Sequence, residues 1–135
     1  MKRLFALTVV LLTPGPLALA ETSEEIRVAT MPPVVVQTVP RSGETRVDPR
    51  IWQLQVTFSK EMMDASWSWS TADEGQFPEI VGKPKYLTDK KTCVVEVNLK
   101  PQTTYAIWLN SDKFRNFKDK DSRPAVPYLL VFETK

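Results

Sequence analysis

Apolar residues recur at every second position over several short stretches of this chain, and no stretch repeats them at helical spacing. Trp52, Leu54, Val56 and Phe58 alternate with Gln53, Gln55 and Thr57. Cys93, Val95, Val97 and Leu99 alternate with Val94, Glu96 and Asn98, and Tyr105, Ile107 and Leu109 repeat the pattern. Side chains alternate faces along a strand, so each stretch carries one face to bury and one to leave wet. A single sheet of such strands would leave its apolar face in water, and two sheets must therefore stack.

The remaining segments fit the same scheme. Val34–Val39 is β-branched and bounded by Pro33 and Pro40, which suits an edge strand, since proline cannot donate to a ladder. Ser66-Trp67-Ser68-Trp69-Ser70 alternates with both tryptophans on one face. A weaker strand is expected over 80–86, interrupted by Gly82 and Pro84, and a closing strand over 128–133. A long charged loop is expected over 111–127. About seven short strands separated by turns predict an all-β fold, an immunoglobulin-like β-sandwich.

The N-terminus predicts export. Met1-Lys2-Arg3 is positively charged, an apolar run follows from Leu4 to Leu12, and Ala18-Leu19-Ala20 is a small-x-small site before Glu21. This is the layout of a cleavable signal peptide over 1–20. The apolar run is shorter than the roughly 20 residues a spanning helix needs, so no transmembrane anchor is expected after cleavage. Residues 21–32 read as a flexible tether and 33–135 as the folded domain. Secretion or a periplasmic location follows.

Cleavage removes Lys2 and Arg3, which brings the 18 basic residues down to 16, the number of acidic ones. A balanced chain has no surplus of cations to neutralise phosphates, so nucleic acid is not an expected partner. With a single cysteine, Cys93, no intrachain disulfide can form, and packing must hold the fold.

Four segments, in order, resemble bacterial Ig-like domains of the S-layer (SbsA-like) type. They are Pro40-x-x-Gly43 with Val47-Asp48-Pro49, then Val56-Thr57-Phe58-Ser59-Lys60-Glu61-Met62, then Leu99-Lys100-Pro101-Gln102-Thr103-Thr104-Tyr105, and finally Val131-Phe132-Glu133-Thr134. The resemblance runs over 33–135. Gln102 stands where the corner usually has glycine, and the loop over 116–123 lacks the glycine common there. The resemblance implies a binding or spacer module on exported bacterial proteins, and the family has no shared catalytic residues to transfer. Tyr105 then either hydrogen-bonds back to the upstream main chain and fixes the corner, or is a plain core aromatic.

The chemistry within reach is narrow. The chain contains no histidine, which removes imidazole bases, Ser-His-Asp and Cys-His machinery and histidine metal sites. Its four glycines are scattered and form no phosphate loop. Glu61 with Asp64, and Asp73, Glu74 and Glu79, are expected as solvated surface charge rather than a catalytic pair. Asn116, Asp119 and Asp121 are oxygen donors in one loop, but Lys118 and Lys120 interleave and oppose calcium there. No cofactor is expected.

What remains is recognition. The primary expectation is a non-catalytic protein-interaction or spacer module of the cell envelope. The alternative is a carbohydrate- or cell-wall-binding module. The residues expected to carry either are Trp67, Trp69, Trp108, Phe114 and Phe117, since planar aromatics stack on sugars and anchor protein partners. The competing expectation is that Trp67 and Trp69 are core residues and that Trp108 covers a loop or fills a secondary cluster.

Overall fold

The computed structural model describes residues 9–18 and 24–135. The charged start and the expected cleavage site lie outside the described residues. Among those described, no helix is long and apolar enough to cross a membrane.

Seven strands form two antiparallel sheets. They are β1 (Val35–Val39), β2 (Gln53–Phe58), β3 (Trp69–Thr71), β4 (Glu79–Tyr86), β5 (Thr92–Asn98), β6 (Thr104–Leu109) and β7 (Tyr128–Glu133). The larger sheet has the order β1-β2-β5-β4 and the smaller one β3-β6-β7. The all-β sandwich expected from the alternating stretches is the fold observed.

The inward stripes meet as the periodicity requires. Leu54, Val56, Phe58, Cys93, Val95 and Val97 from the larger sheet, and Tyr105, Ile107, Leu109, Leu130 and Phe132 from the smaller, form one buried cluster. Each fully buried apolar side chain contributes about 1.5–3 kcal/mol of transfer free energy. Burial holds the Cys93 thiol well above its usual range, at about 12, so it packs as a small hydrophobe.

Trp52, Val94, Thr92 and Ala106 depart from simple alternation, and the first two show why. Trp52 is 62% exposed, although it shares parity with Leu54. Gln53 is the first residue of the β5 ladder, and Trp52 sits at its rim, its carbonyl accepting the Val97 N–H at 2.9 Å while its side chain stays in solvent. Val94, of outward parity, is buried. It sits on a central strand opposite Gln55 of β2 and Lys85 of β4, long side chains whose stems shade it from both sides.

The corner between β5 and β6 combines both readings of Tyr105. Its ring is buried against Phe132, centroids 5.4 Å apart, and its hydroxyl accepts the Lys100 N–H at 2.7 Å. Gln102 takes φ of +49°, the left-handed conformation for which glycine is the usual residue. Within the expected tether, a turn at 28–30 is held to the domain. The Ala29 carbonyl accepts from Lys60 Nζ at 2.8 Å and from Arg123 at 3.0 Å.

Each free sheet edge is treated differently. The outer edge of β7 is covered by 43–47, where Val47 N–H donates to the Glu133 carbonyl at 3.0 Å and Glu133 N–H to Glu44 at 2.8 Å. On the same flank, β1 lies between prolines. On the opposite flank the sheets end in β4 and β3, and there the sandwich is open.

Candidate functional site

The open flank is a cleft of about 390 Å³ between β3 and β4. Trp67 and Trp69 form one wall, Ile80 and Pro84 of β4 the other, and Val95 lies at the floor. Phe77 closes one end, and Phe114 and Asn116 from the long loop close the other. No charged side chain lines it. Trp67 and Trp69 are half-buried and pack on the core, whereas Phe114 is 53% exposed. The cleft exists because β3 is only three residues long and the chain then crosses to the other sheet. That crossing is tight: Gly75 has φ of +84°, and a Cβ there would come within 2.8 Å of the Ala106 Cβ. Gln76 N–H donates to the Thr104 carbonyl at 2.9 Å, and its carbonyl accepts from Ala106 at 3.0 Å, which seals the lower edge of β6.

The long loop is packed rather than splayed. Asn110, fully buried with φ of +58°, is its clasp. Its Nδ2 donates to the Phe117 carbonyl at 2.8 Å and the Ala125 carbonyl at 3.0 Å, and its Oδ1 accepts the Phe117 N–H at 2.9 Å. The loop is thereby folded back over the core. Phe117 is consequently no contact residue: it is fully buried, 5.0 Å from Phe58 and 5.7 Å from Trp69 by ring centroids. This corrects the expectation that it presents an aromatic face to a partner. The clasp leaves Phe114 on the outside, between two hollows.

The second hollow, about 350 Å³, lies on the outer face of the smaller sheet. Trp108 and Phe114 line it together with Ser70, Thr71, Asp73, Asp112 and Lys113. Trp108 is half-buried there, on the face away from Ile107 and Leu109 as the alternation predicts. A third and larger hollow, about 800 Å³, lies at the β5–β6 corner, and Glu79 and Lys100 are its charged residues.

The structure thus brings Trp67, Trp69 and Phe114 together, places Trp108 beside Phe114 on the adjoining face, and removes Phe117 to the core. The sequence reading missed Phe77, Ile80 and Pro84, which come from a crossing and a weak strand with no alternation to mark them as a wall. It also missed the exposure of Trp52, which had been assigned to the core stripe.

The carboxylates are engaged or solvated. Glu61 pairs with Lys120, which holds its carboxyl below the usual range. Asp64 accepts the Ala65 N–H at 2.9 Å, and the Asp112 side chain is 99% exposed. Asp119 is buried. Burial alone would raise its pKa, but Lys60 at 2.7 Å and the N–H groups of Arg123 and Asp121 outweigh it and hold the carboxyl low. Its oxygens are committed to internal donors, the opposite of a waiting cation site. Among the described residues no group of three or more metal-ligating side chains comes together.

The family model described as bacterial Ig-like domain matches residues 29–134, most of the chain and all seven strands. The chain belongs to the bacterial Ig-like domain family. No curated protein and no solved structure matches it. Membership accounts for the two-sheet architecture and makes a structural or interaction role the ordinary one, since such Ig-like domains are generally non-catalytic. It names no site.

Proposed function

We propose that this domain is a non-catalytic interaction module exported to the bacterial cell envelope, of the S-layer (SbsA-like) kind, and that it holds a partner protein at the cleft between β3 and β4. The observation that carries this reading is the gathering of Trp67, Trp69, Phe77, Ile80, Pro84 and Phe114 around one opening without a charged group. Interface energy concentrates in such aromatic pockets, where anchors are fully desolvated on binding. Export is supported by the charged, apolar and small-x-small segments of 1–20.

Affinity capture from envelope extract tests the reading. A partner retained by the protein is expected to be lost with Phe114→Ala, an exposed substitution that leaves the core intact. Equal recovery of that partner by the variant would refute docking at the cleft.

A glycan-binding reading is favoured only at the second hollow, where Trp108 and Phe114 stand with the carboxylates of Asp73 and Asp112 and with Lys113. Quenching of tryptophan fluorescence by peptidoglycan fragments, abolished by Trp108→Ala, is its expected signature. A signal equal in protein and variant would remove it.

A further inference from the structure

The cleft runs along an edge strand that carries no proline, lysine or bulge. Exposed sheet edges are ordinarily blunted by proline, lysine or a bulge, or are covered. The edge of β4 has all three blunting devices in its 81–85 irregularity, with Pro84 and the exposed Lys83 and Lys85. β3 reads Trp69-Ser70-Thr71 and has none of these three; its one protection is its length of three residues. It pairs with β6 in the register Trp69↔Leu109, Ser70↔Trp108, Thr71↔Ile107, and Asn110 N–H donates to the Ser68 carbonyl at 3.2 Å. In an antiparallel ladder, bonded pairs alternate. Ser68 and Ser70 therefore spend their main-chain groups on β6, while Trp69 and Thr71 turn theirs away from it, along the cleft. Neither residue enters any main-chain hydrogen bond outside the ladder.

We propose that the occupant of the cleft is an extended segment of a partner protein that adds as a fourth strand beside β3, its alternate apolar side chains entering between Trp67, Trp69, Phe77 and Ile80. This deepens the partner-docking reading and rests on it. Strand addition supplies affinity through the main chain and specificity through side-chain pockets. The lining decides against a sugar here, because its hydroxyls would face apolar walls without partners. Charge supplies the direction. β4 runs from Glu79, which with Glu74 lies toward the Gly75 end, to Lys83 and Lys85, toward the end where the Tyr86 hydroxyl donates to the Ser66 carbonyl at 2.9 Å, and none of these four charged residues forms an ion pair among the described residues. β3 runs from the basic end to the acidic end. An antiparallel segment with a basic residue near its N-terminus and an acidic one near its C-terminus matches both ends.

The probe is the peptide acetyl-Lys-Val-Thr-Phe-Thr-Val-Glu-amide, titrated into the isotope-labelled protein and followed by amide hydrogen exchange. At saturation the Trp69 and Thr71 amides are expected to slow at least about tenfold, and Ser70, already in the ladder, to stay unchanged. Peptides with alternate amides N-methylated, or with Lys and Glu interchanged, are expected to bind at least about fivefold more weakly. Thr71→Pro, which deletes one outward donor, and Phe114→Ala are expected to weaken binding likewise. Absence of peptide binding at millimolar concentration, equal binding of the N-methylated peptide, or unchanged exchange at Trp69 and Thr71 in the complex would each overturn strand addition. A partner captured through Phe114 without slowing of those two amides would leave cleft docking standing and remove only the added strand.

Discussion

Replacing Asn110 by alanine should undo the clasp that folds the long loop back onto the core. The side chain makes three buried hydrogen bonds: from Nδ2 to the Phe117 and Ala125 carbonyls, and from the Phe117 N–H to Oδ1. The Phe117 carbonyl keeps a second donor, the Ala125 N–H at 2.8 Å. The Phe117 N–H and the Ala125 carbonyl are left without their partner, and a buried group stripped in this way costs about 1–3 kcal/mol. Alanine at a φ of +58° adds about 1 kcal/mol of backbone strain that asparagine tolerates better. The sum is about 3–7 kcal/mol. For a domain of this size 1 kcal/mol moves Tm by about 4 °C, so a fall of about 12–28 °C is expected in a calorimetric scan. Asn110→Gly removes the same bonds without the strain, and should melt a few degrees above the alanine variant. Because Phe117 touches Trp69, the loss should also change the tryptophan emission before global unfolding. A Tm within about 5 °C of the parent for both variants would refute the argument, since the loop would then be held by packing alone.

Tyr105→Phe removes only the hydroxyl that receives the Lys100 N–H, and should lower stability by about 1–2 kcal/mol in urea denaturation, with m unchanged; no loss would make Tyr105 a plain core aromatic. Gln102→Gly relieves the left-handed strain at φ of +49° and should raise Tm by about 2–4 °C, whereas a decrease would show that the Gln102 side chain contributes more than its backbone costs. Asp119 has its pKa held low in the folded state, so its contribution is complete above the unfolded-chain value of about 3.9 and fades as the pH falls through the folded value. Tm measured from pH 7 to pH 2 should therefore drop in acid, and Asp119→Asn should start lower at pH 7 and show a shallower acid limb. An acid limb of unchanged steepness would assign the pH dependence elsewhere.

Most of the frame was legible in the chain because period-two burial is a local property. Leu54, Val56 and Phe58, or Tyr105, Ile107 and Leu109, declare their inward face without knowing what covers it, and proline on both sides marks β1 as an edge. The Leu99–Tyr105 corner was readable for the same reason, since a turn and its tyrosine lie within a few residues of each other. The site was legible only in part. Trp67, Trp69, Trp108 and Phe114 stood out as aromatics, but Phe117 was indistinguishable from Phe114 by composition, and only Asn110 reaching seven residues along the loop sends one inward and leaves the other out.

The opposite wall of the cleft depended on contacts still more distant. Phe77, Ile80 and Pro84 reach Trp67 and Trp69 because β4 and β3 are the last strands of two different sheets on one flank. Which edges coincide in a sandwich is settled by pairing between segments far apart in the chain, and no local pattern encodes it. The alternation of the chain thus determined that there would be two stacked layers. Their closure on one flank and opening on the other was decided by long-range pairing: 43–47 covers β7, while β3 stops after three residues and leaves its outward main-chain groups uncovered.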